Sequence, residues 1–284
     1  MGKLAYILLG AILVIAIIAG VAYFKIFKSS TTTAFLNIES GAVEIDKGNG
    51  WQAATDQMKL GLADKIRTGT GKASVVLYES VIISLEPNTE ISLKDLSKNS
   101  LKIGQPSGQT WNKFTDLAGV SSLSVETPTT VATVRGTYFG VGMQAVLVGE
   151  GIVVVEKDGQ KIEITAGKKA TVKDGKLVEE ELTPEELAGI IAQMQGTLEQ
   201  LKNLRMRELQ KNSFLANQLK KQYHIQDDQI KEYLGKADRG ELNIEELEKK
   251  SPIKIEAVHK IRLITEEIIK QNKAIAELQK LNQK

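Results

Sequence analysis

The chain has 284 residues, 42% hydrophobic and 25% charged, an ordinary globular composition with apolar material for one large domain or two smaller ones. Lysine and arginine number 37 against 35 aspartate and glutamate, so the formal net charge of +2 gives no basic excess to hold nucleic acid, and no such partner is expected. The absence of cysteine removes disulfides, thiolate nucleophiles and cysteine-ligated metals, and it suits either side of a membrane.

From Leu4 to Phe24, LAYILLGAILVIAIIAGVAYF runs without a charge. At about 1.5 Å per residue it can cross a hydrocarbon core of roughly 30 Å, so it reads as a single transmembrane helix anchoring an integral, single-pass protein. A cleaved signal peptide would have an apolar region of about 7 to 15 residues and a small-residue cleavage site. Tyr23, Phe24, Lys25 and Phe27 follow here instead. A buried core helix is the alternative. Lys3 and the α-amino group on one side face Lys25 and Lys28 on the other, which leaves the orientation open. Met1 to Lys3 are too few to carry a folded element, and residues 25–33 read as a polar spacer.

Beyond the spacer, short runs rich in Val, Ile, Thr and aromatics recur at 34–46, 73–86, 90–96, 122–128 and 131–142, each with strand-like alternation. Residues 144–180 add four more, and Lys-Asp-Gly at 157–159 and 173–175 marks two hairpins. About eight to ten strands with no helical run between them predict an antiparallel all-β domain over residues 34–182, in two packed layers or a short roll.

At LTPEEL the period changes. Thr183, Pro184 and Glu186 form a capping box, and Leu187, Ile191, Met194, Leu198 and Leu201 draw one apolar stripe along the helix it opens. Asn243 and Ser251, the latter with Pro252 in the first turn, read as caps of further helices. Ile261, Ile264, Ile268, Ile275 and Leu278 form a second stripe, interrupted at Gln271 where a strict heptad would be apolar. Residues 183–284 are therefore expected to be all-α. They would form either an intramolecular antiparallel bundle or a coiled coil with a second copy or a partner.

Few residues of the chain are spaced for chemistry. RTGTGKAS lacks the spacing of a phosphate loop and has Ala73 where a magnesium-binding hydroxyl would stand. His224 and His259 lie in the helical region and read as surface or packing residues, so the β domain has no histidine to act as base or ligand. Asp227 with Asp228 and Glu266 with Glu267 are adjacent on helices and point different ways, as on solvated faces. KADRGELN lacks the alternating ligands of a calcium loop. The expectation is a non-enzymatic protein with no cofactor and no metal.

VETPTTVATVRGTYFGV, followed by VGEGIVVVE and ITAGKKATV, resembles the signature of the FecR domain family, with its Thr-Pro, Arg-Gly-Thr, Phe and Gly-x-Val. SGAVEIDKGNGWQAA, IRTGTGKASVVL and LEPNTEISL are similar to that family's first strand with its tryptophan, its Arg-Thr-Gly turn and its Pro-Asn-Thr turn. The resemblance spans about residues 34–178 and singles out Thr127, Pro128, Arg135, Gly136, Thr137, Phe139, Arg67, Thr68, Gly69 and Trp51 as motif residues of structural character. GLADKI departs from the family's Gly-Asp, and LYESVIISL lacks its Asp-Gly-Ser turn. The resemblance implies an all-β, extracytoplasmic domain of bacterial envelope proteins, the best studied of which are membrane-spanning regulators of iron-uptake sigma factors. Such regulators carry a cytoplasmic helical region before the membrane span, for which Met1 to Lys3 leave no room, and a small mixed domain where this chain is helical.

Arg135, inside an apparent strand, must be paired or reach solvent. One reading has its guanidinium tying strand carbonyls or a carboxylate across the two layers; the other is an anion or sugar-carboxylate site at the sheet surface. The same pair of readings applies to Arg67. Trp51 and Trp111 read as core or lid residues, with sugar-stacking platforms as the alternative. Two functions follow. One is a membrane-anchored envelope scaffold whose helices recruit a partner or self-associate, which predicts an exposed apolar stripe. The other is a sensory or glycan-binding envelope protein with a signal-transduction role, which predicts a Trp or Tyr beside a polar cleft.

Overall fold

The alternating runs at 34–46 and 131–142 each break where the chain changes sheet, whereas the run at 73–86 breaks at a hairpin within one sheet. The computed structural model describes residues 34–115, 117–213, 217, 226–250 and 256–283. The membrane span read at 4–24, the spacer, His224, Ser251 and Pro252 lie outside the described residues. No helix among the described residues is long and apolar enough to cross a membrane.

One sheet has eight strands, in the order β1 (Ala34–Ser40), β5 (Lys72–Leu77), β6 (Val81–Leu85), β9 (Thr110–Phe114), β12 (Tyr138–Val141), β13 (Ala145–Glu150), β16 (Lys168–Lys173) and β17 (Lys176–Glu181). The other has nine: β15 (Gln160–Thr165), β14 (Ile152–Lys157), β11 (Val131–Val134), β10 (Leu123–Glu126), β8 (Ser100–Ser107), β7 (Glu90–Ser97), β4 (Lys65–Thr68), β2 (Val43–Asp46) and β3 (Trp51–Ala53). The expected antiparallel pairing needs one correction. β10 lies parallel to β8, with Leu123 opposite Leu101 and Val125 opposite Ile103. The cause is the path between them: the chain leaves β8 at Gly108, runs back as β9 in the other sheet, and returns beside β8 in its original direction.

The two Asp-Gly hairpins form as the sequence predicts, with positive φ at Asp158, Gly159, Asp174 and Gly175 matching the twist of the flanking strands. The hairpin between β5 and β6 makes the same turn without glycine. Tyr78 and Glu79 adopt φ of 55° and 53°, and Ser80 N–H donates to the Leu77 carbonyl at 3.0 Å. Tyr78 Oη donates to the Leu96 carbonyl at 2.5 Å, and Glu79 is ion-paired to Lys211 and Lys260, so contacts outside the hairpin hold a conformation costly for these residues. In GLADKI, Ala63 takes φ 69° and Asp64 Oδ2 accepts the Gly61 N–H at 2.8 Å.

Leu36, Ile45, Ile66, Ile83, Leu101, Phe114, Phe139 and Val153, all fully or almost fully buried, belong to the core between the sheets. The expected two layers become three. The long helices α1 (Pro184–Lys211) and α4 (Glu256–Asn282) cover the outer face of the eight-stranded sheet, with the shorter α2 (Asp227–Asp238) and α3 (Ile244–Lys250) between them in sequence. Leu187, Ile190 and Met194 of α1 meet Ile275 and Leu278 of α4 over Tyr138 and Leu147. Leu198, Leu201, Ile264 and Ile268 close over Val76 and Ile82. Gln271, the interruption in the second stripe, is fully buried and donates through Nε2 to the Met194 carbonyl at 2.5 Å. The helices start as their sequences direct: Thr183 Oγ1 accepts the Glu186 N–H at 3.2 Å, Glu186 Oε2 accepts the Thr183 N–H at 2.8 Å, and Asn243 Oδ1 accepts the Glu246 N–H at 3.0 Å. Ala34–Lys284 form one compact unit.

Candidate functional site

Arg135 is not inside a strand. β11 ends at Val134, Gly136 turns the chain at φ 71°, and β12 begins at Tyr138 in the other sheet. Arg135 is exposed on this bend and makes no hydrogen bond or ion pair among the described residues, which corrects the reading that it ties the two layers. What the motif does bury is Thr137, Tyr138 and Phe139. The Gly136 carbonyl accepts from Lys270 of α4 at 3.3 Å.

Arg67 does bind a carboxylate, within one sheet. Its Nε donates to Glu44 Oε2 at 2.7 Å on the neighbouring strand, and its guanidinium lies 4.2 Å from the ring centre of Trp51. The hydrogen bond to Glu44 raises the guanidinium pKa further. Trp51, on the edge strand β3, is thus half-buried under an arginine and belongs neither to the core nor to an open platform.

The threonines of the two upstream turns lead toward an opening at the end of the eight-stranded sheet. Thr68 Oγ1 donates to the Glu86 carbonyl at 2.6 Å and accepts the Thr89 N–H at 3.0 Å. Gly69 accepts the Asn88 N–H at 2.7 Å. Thr89 Oγ1 donates to the Gln109 carbonyl at 3.1 Å and accepts the Gln109 N–H at 3.0 Å. On the far side, Thr127 Oγ1 accepts the Thr130 N–H at 2.9 Å in the turn that contains Pro128.

Gln109 and Trp111 line a groove of about 520 Å³, together with Met143, Gln144 and Leu147 at the β12–β13 end and Glu186 and Gly189 from the start of α1. Gly140 stands opposite Trp111 across β12 and β9. A Cβ there would lie 2.4 Å from Cζ3 of the indole, so the absence of a side chain at Gly140 is what lets the ring lie flat on the sheet. Trp111 is half-buried, and its Nε1 is buried without a hydrogen-bond partner among the described residues. Lys169 Nζ donates to Glu186 at 2.7 and 2.9 Å. Burial pushes the Glu186 carboxyl up, but Lys169 and Thr183 outweigh it and hold it below the ordinary carboxylate range. An aromatic ring, two primary amides and an ionised carboxylate around one groove provide a surface for apolar C–H faces and donors and acceptors for hydroxyl groups. Sequence alone marked Trp111, and Glu186 only as a capping residue, and gave no sign of Gln109 or Gln144; the four come together only through strand order and helix docking.

A second group that sequence reading missed lies under α4. Lys113, fully buried, stands 2.8 Å from Glu150 Oε2 and 3.2 Å from Glu267 Oε2, and Lys270 stands 2.9 Å from Glu150 Oε1. Glu267 is therefore not on a solvated face, which corrects its reading, while Glu266 pairs with Arg262 and the exposed His259 lies 3.1 Å from Glu248.

Residues 64–164 match the family described as FecR protein. That stretch carries the likeness to FecR domains. It contains every motif residue named above except Trp51, and ends before α1, so the helical layer and the Glu186 wall of the groove lie beyond it. Two crystal structures of a candidate anti-sigma factor from Parabacteroides distasonis are similar to this chain at 16% and 15% identity, each likeness covering 41% of this chain with a TM-score of 0.37. The chain spans 59% of that protein's crystallised length. No curated protein matches the chain.

Proposed function

We propose that this protein is a non-enzymatic, membrane-anchored component of envelope signal transduction whose FecR domain and helical cover present the Trp111 groove to a glycan. The FecR match supports the signalling role. Residues 4–24 serve as the anchor, with the β and helical parts outside the cytoplasm. The observation that carries the ligand reading is the groove itself, with an indole seated on Gly140 beside Gln109, Gln144 and Glu186. The scaffold alternative needs an exposed apolar stripe on a helix, and in the described residues the stripes of α1 and α4 face each other and the sheet.

The chain has two tryptophans, so Trp51→Phe leaves Trp111 as the reporter. Titration of that full-length variant with a panel of envelope glycans is expected to give a saturable change in emission. Trp111→Ala, followed by calorimetry, should weaken binding at least about tenfold, or ~1.4 kcal/mol. Binding no better than background across the panel would remove the glycan reading. Placement is checked separately: protease added to intact cells stripped of their outer layers should degrade a C-terminal tag without lysis.

A further inference from the structure

We propose that a second cavity, between the edge of the eight-stranded sheet and α1, binds a small zwitterion of the α-amino-acid class with an apolar side chain. The cavity measures about 260 Å³, below the range of roughly 300–1,000 Å³ usual for drug-sized ligands, so it suits one small metabolite. It is independent of the Trp111 groove: Glu186 and Gln200, which line the two, are fourteen residues apart on α1, about 21 Å along the helix.

Its lining is divided by charge. Arg207 and Asn203 stand on the helix wall, and neither has a hydrogen-bond or ion-pair partner among the described residues. A free guanidinium presents a fork of N–H donors that fits a carboxylate in a bidentate pair. The opposite wall carries Asp56, on the turn after β3, and Glu39 of β1, each with one oxygen already used: Asp56 Oδ1 accepts the Ile38 N–H at 2.9 Å and Glu39 Oε1 accepts from Gln200 Nε2 at 2.9 Å. Their second oxygens remain for an ammonium group. With two carboxylates against one cation, a simple anion meets net repulsion and a simple amine leaves Arg207 unmatched. A molecule carrying both charges satisfies both walls.

Two further features fit. The half-buried Leu204, backed by the buried Val76 and Ile82, gives the cavity an apolar side on which an aliphatic chain can rest. Gln57 is held at φ 59°, a region costly for a residue other than glycine, and its amide donates to Asn37 Oδ1, while Asn37 Nδ2 donates to Ser74 Oγ at 3.4 Å. The strained turn thus fixes an amide at the mouth of the cavity.

The test is calorimetry on the full-length protein with leucine and its two single-charge counterparts, isoamylamine and isocaproate. Leucine is expected to bind saturably, and each counterpart at least about tenfold more weakly. Arg207→Gln should cost leucine at least about tenfold in affinity without moving the unfolding midpoint, because Arg207 supports nothing in the fold. Trp111→Ala should leave leucine binding unchanged. The proposal is overturned by no saturable leucine binding, by isocaproate binding as tightly as leucine, or by full affinity in the Arg207→Gln variant.

Discussion

Lys113 places an ammonium group out of contact with solvent, between the sheet and α4, where an unpaired charge would be very costly. Glu150 and Glu267 neutralise it, and Lys270 restores the balance at Glu150. Burial pushes the Glu150 carboxyl up, but the two lysines outweigh that and hold it below the ordinary carboxylate range. A carboxylate with a depressed folded-state pKa contributes stability that is fully present above its unfolded value and lost as pH falls through the folded one. The protein should therefore lose stability as pH falls below the ordinary carboxylate range, and Glu150→Gln should flatten that acid limb while lowering stability near neutral pH by about 3–5 kcal/mol, the cost of breaking a buried pair. Glu79, pushed up by burial but held low by Lys260 and Lys211, leaves part of the slope in the variant. Chemical denaturation at a series of pH values measures both effects, and an unchanged acid limb would show that Glu150 does not carry it.

The docking of α1 depends on a flat patch of β13. A Cβ on Gly149 would lie 2.9 Å from both Ile190 Cδ1 and Met194 Sδ, so the helix rests almost directly on the strand. Alanine there asks two flexible side chains to shift, whereas a branched side chain must lift the helix. Gly149→Val is expected to cost about 1–3 kcal/mol and to reduce hydrogen-exchange protection in α1 before the sheets lose theirs. Equal loss of protection in helix and sheets would place the effect elsewhere. The Tyr78–Glu79 turn shows the same dependence in reverse: local chemistry disfavours it, and lysines on α1 and α4 hold it in place.

In the whole molecule, the sheets cannot be completed without the helices. Removing residues after 182 would bare Val76, Ile82, Tyr138 and Leu147 and uncover Lys113, on a face that also carries Phe35, Trp111 and Ala145. Reading residues 34–182 and 183–284 as separate domains predicts two unfolding transitions; the shared apolar contacts predict one. Thermal unfolding of residues 34–284, followed by helical circular dichroism and by tryptophan emission, should give coincident curves. A fragment ending at 182 should bind a hydrophobic dye or aggregate. Separated curves, or a soluble and dye-silent fragment, would establish the helical layer as dispensable.

Features that depend on a few adjacent residues were legible in the sequence: the strand-rich stretch, the Asp-Gly hairpins at 158–159 and 174–175, the capping box at Thr183 and the Arg-Gly-Thr segment that carries the resemblance to FecR domains. Each is decided by local backbone preference or by a hydrogen bond across three residues, so each is visible in a short window. The three-dimensional packing was needed to establish that β8 and β10 run parallel, that the run through Arg135 bends into two strands, and that both helical stripes close on the sheet. It also decided which amides share a groove with Trp111 and which carboxylates reach Lys113. These outcomes depend on which distant segments become neighbours. Alternation and apolar spacing say that a face will be buried; they carry no information about what will cover it.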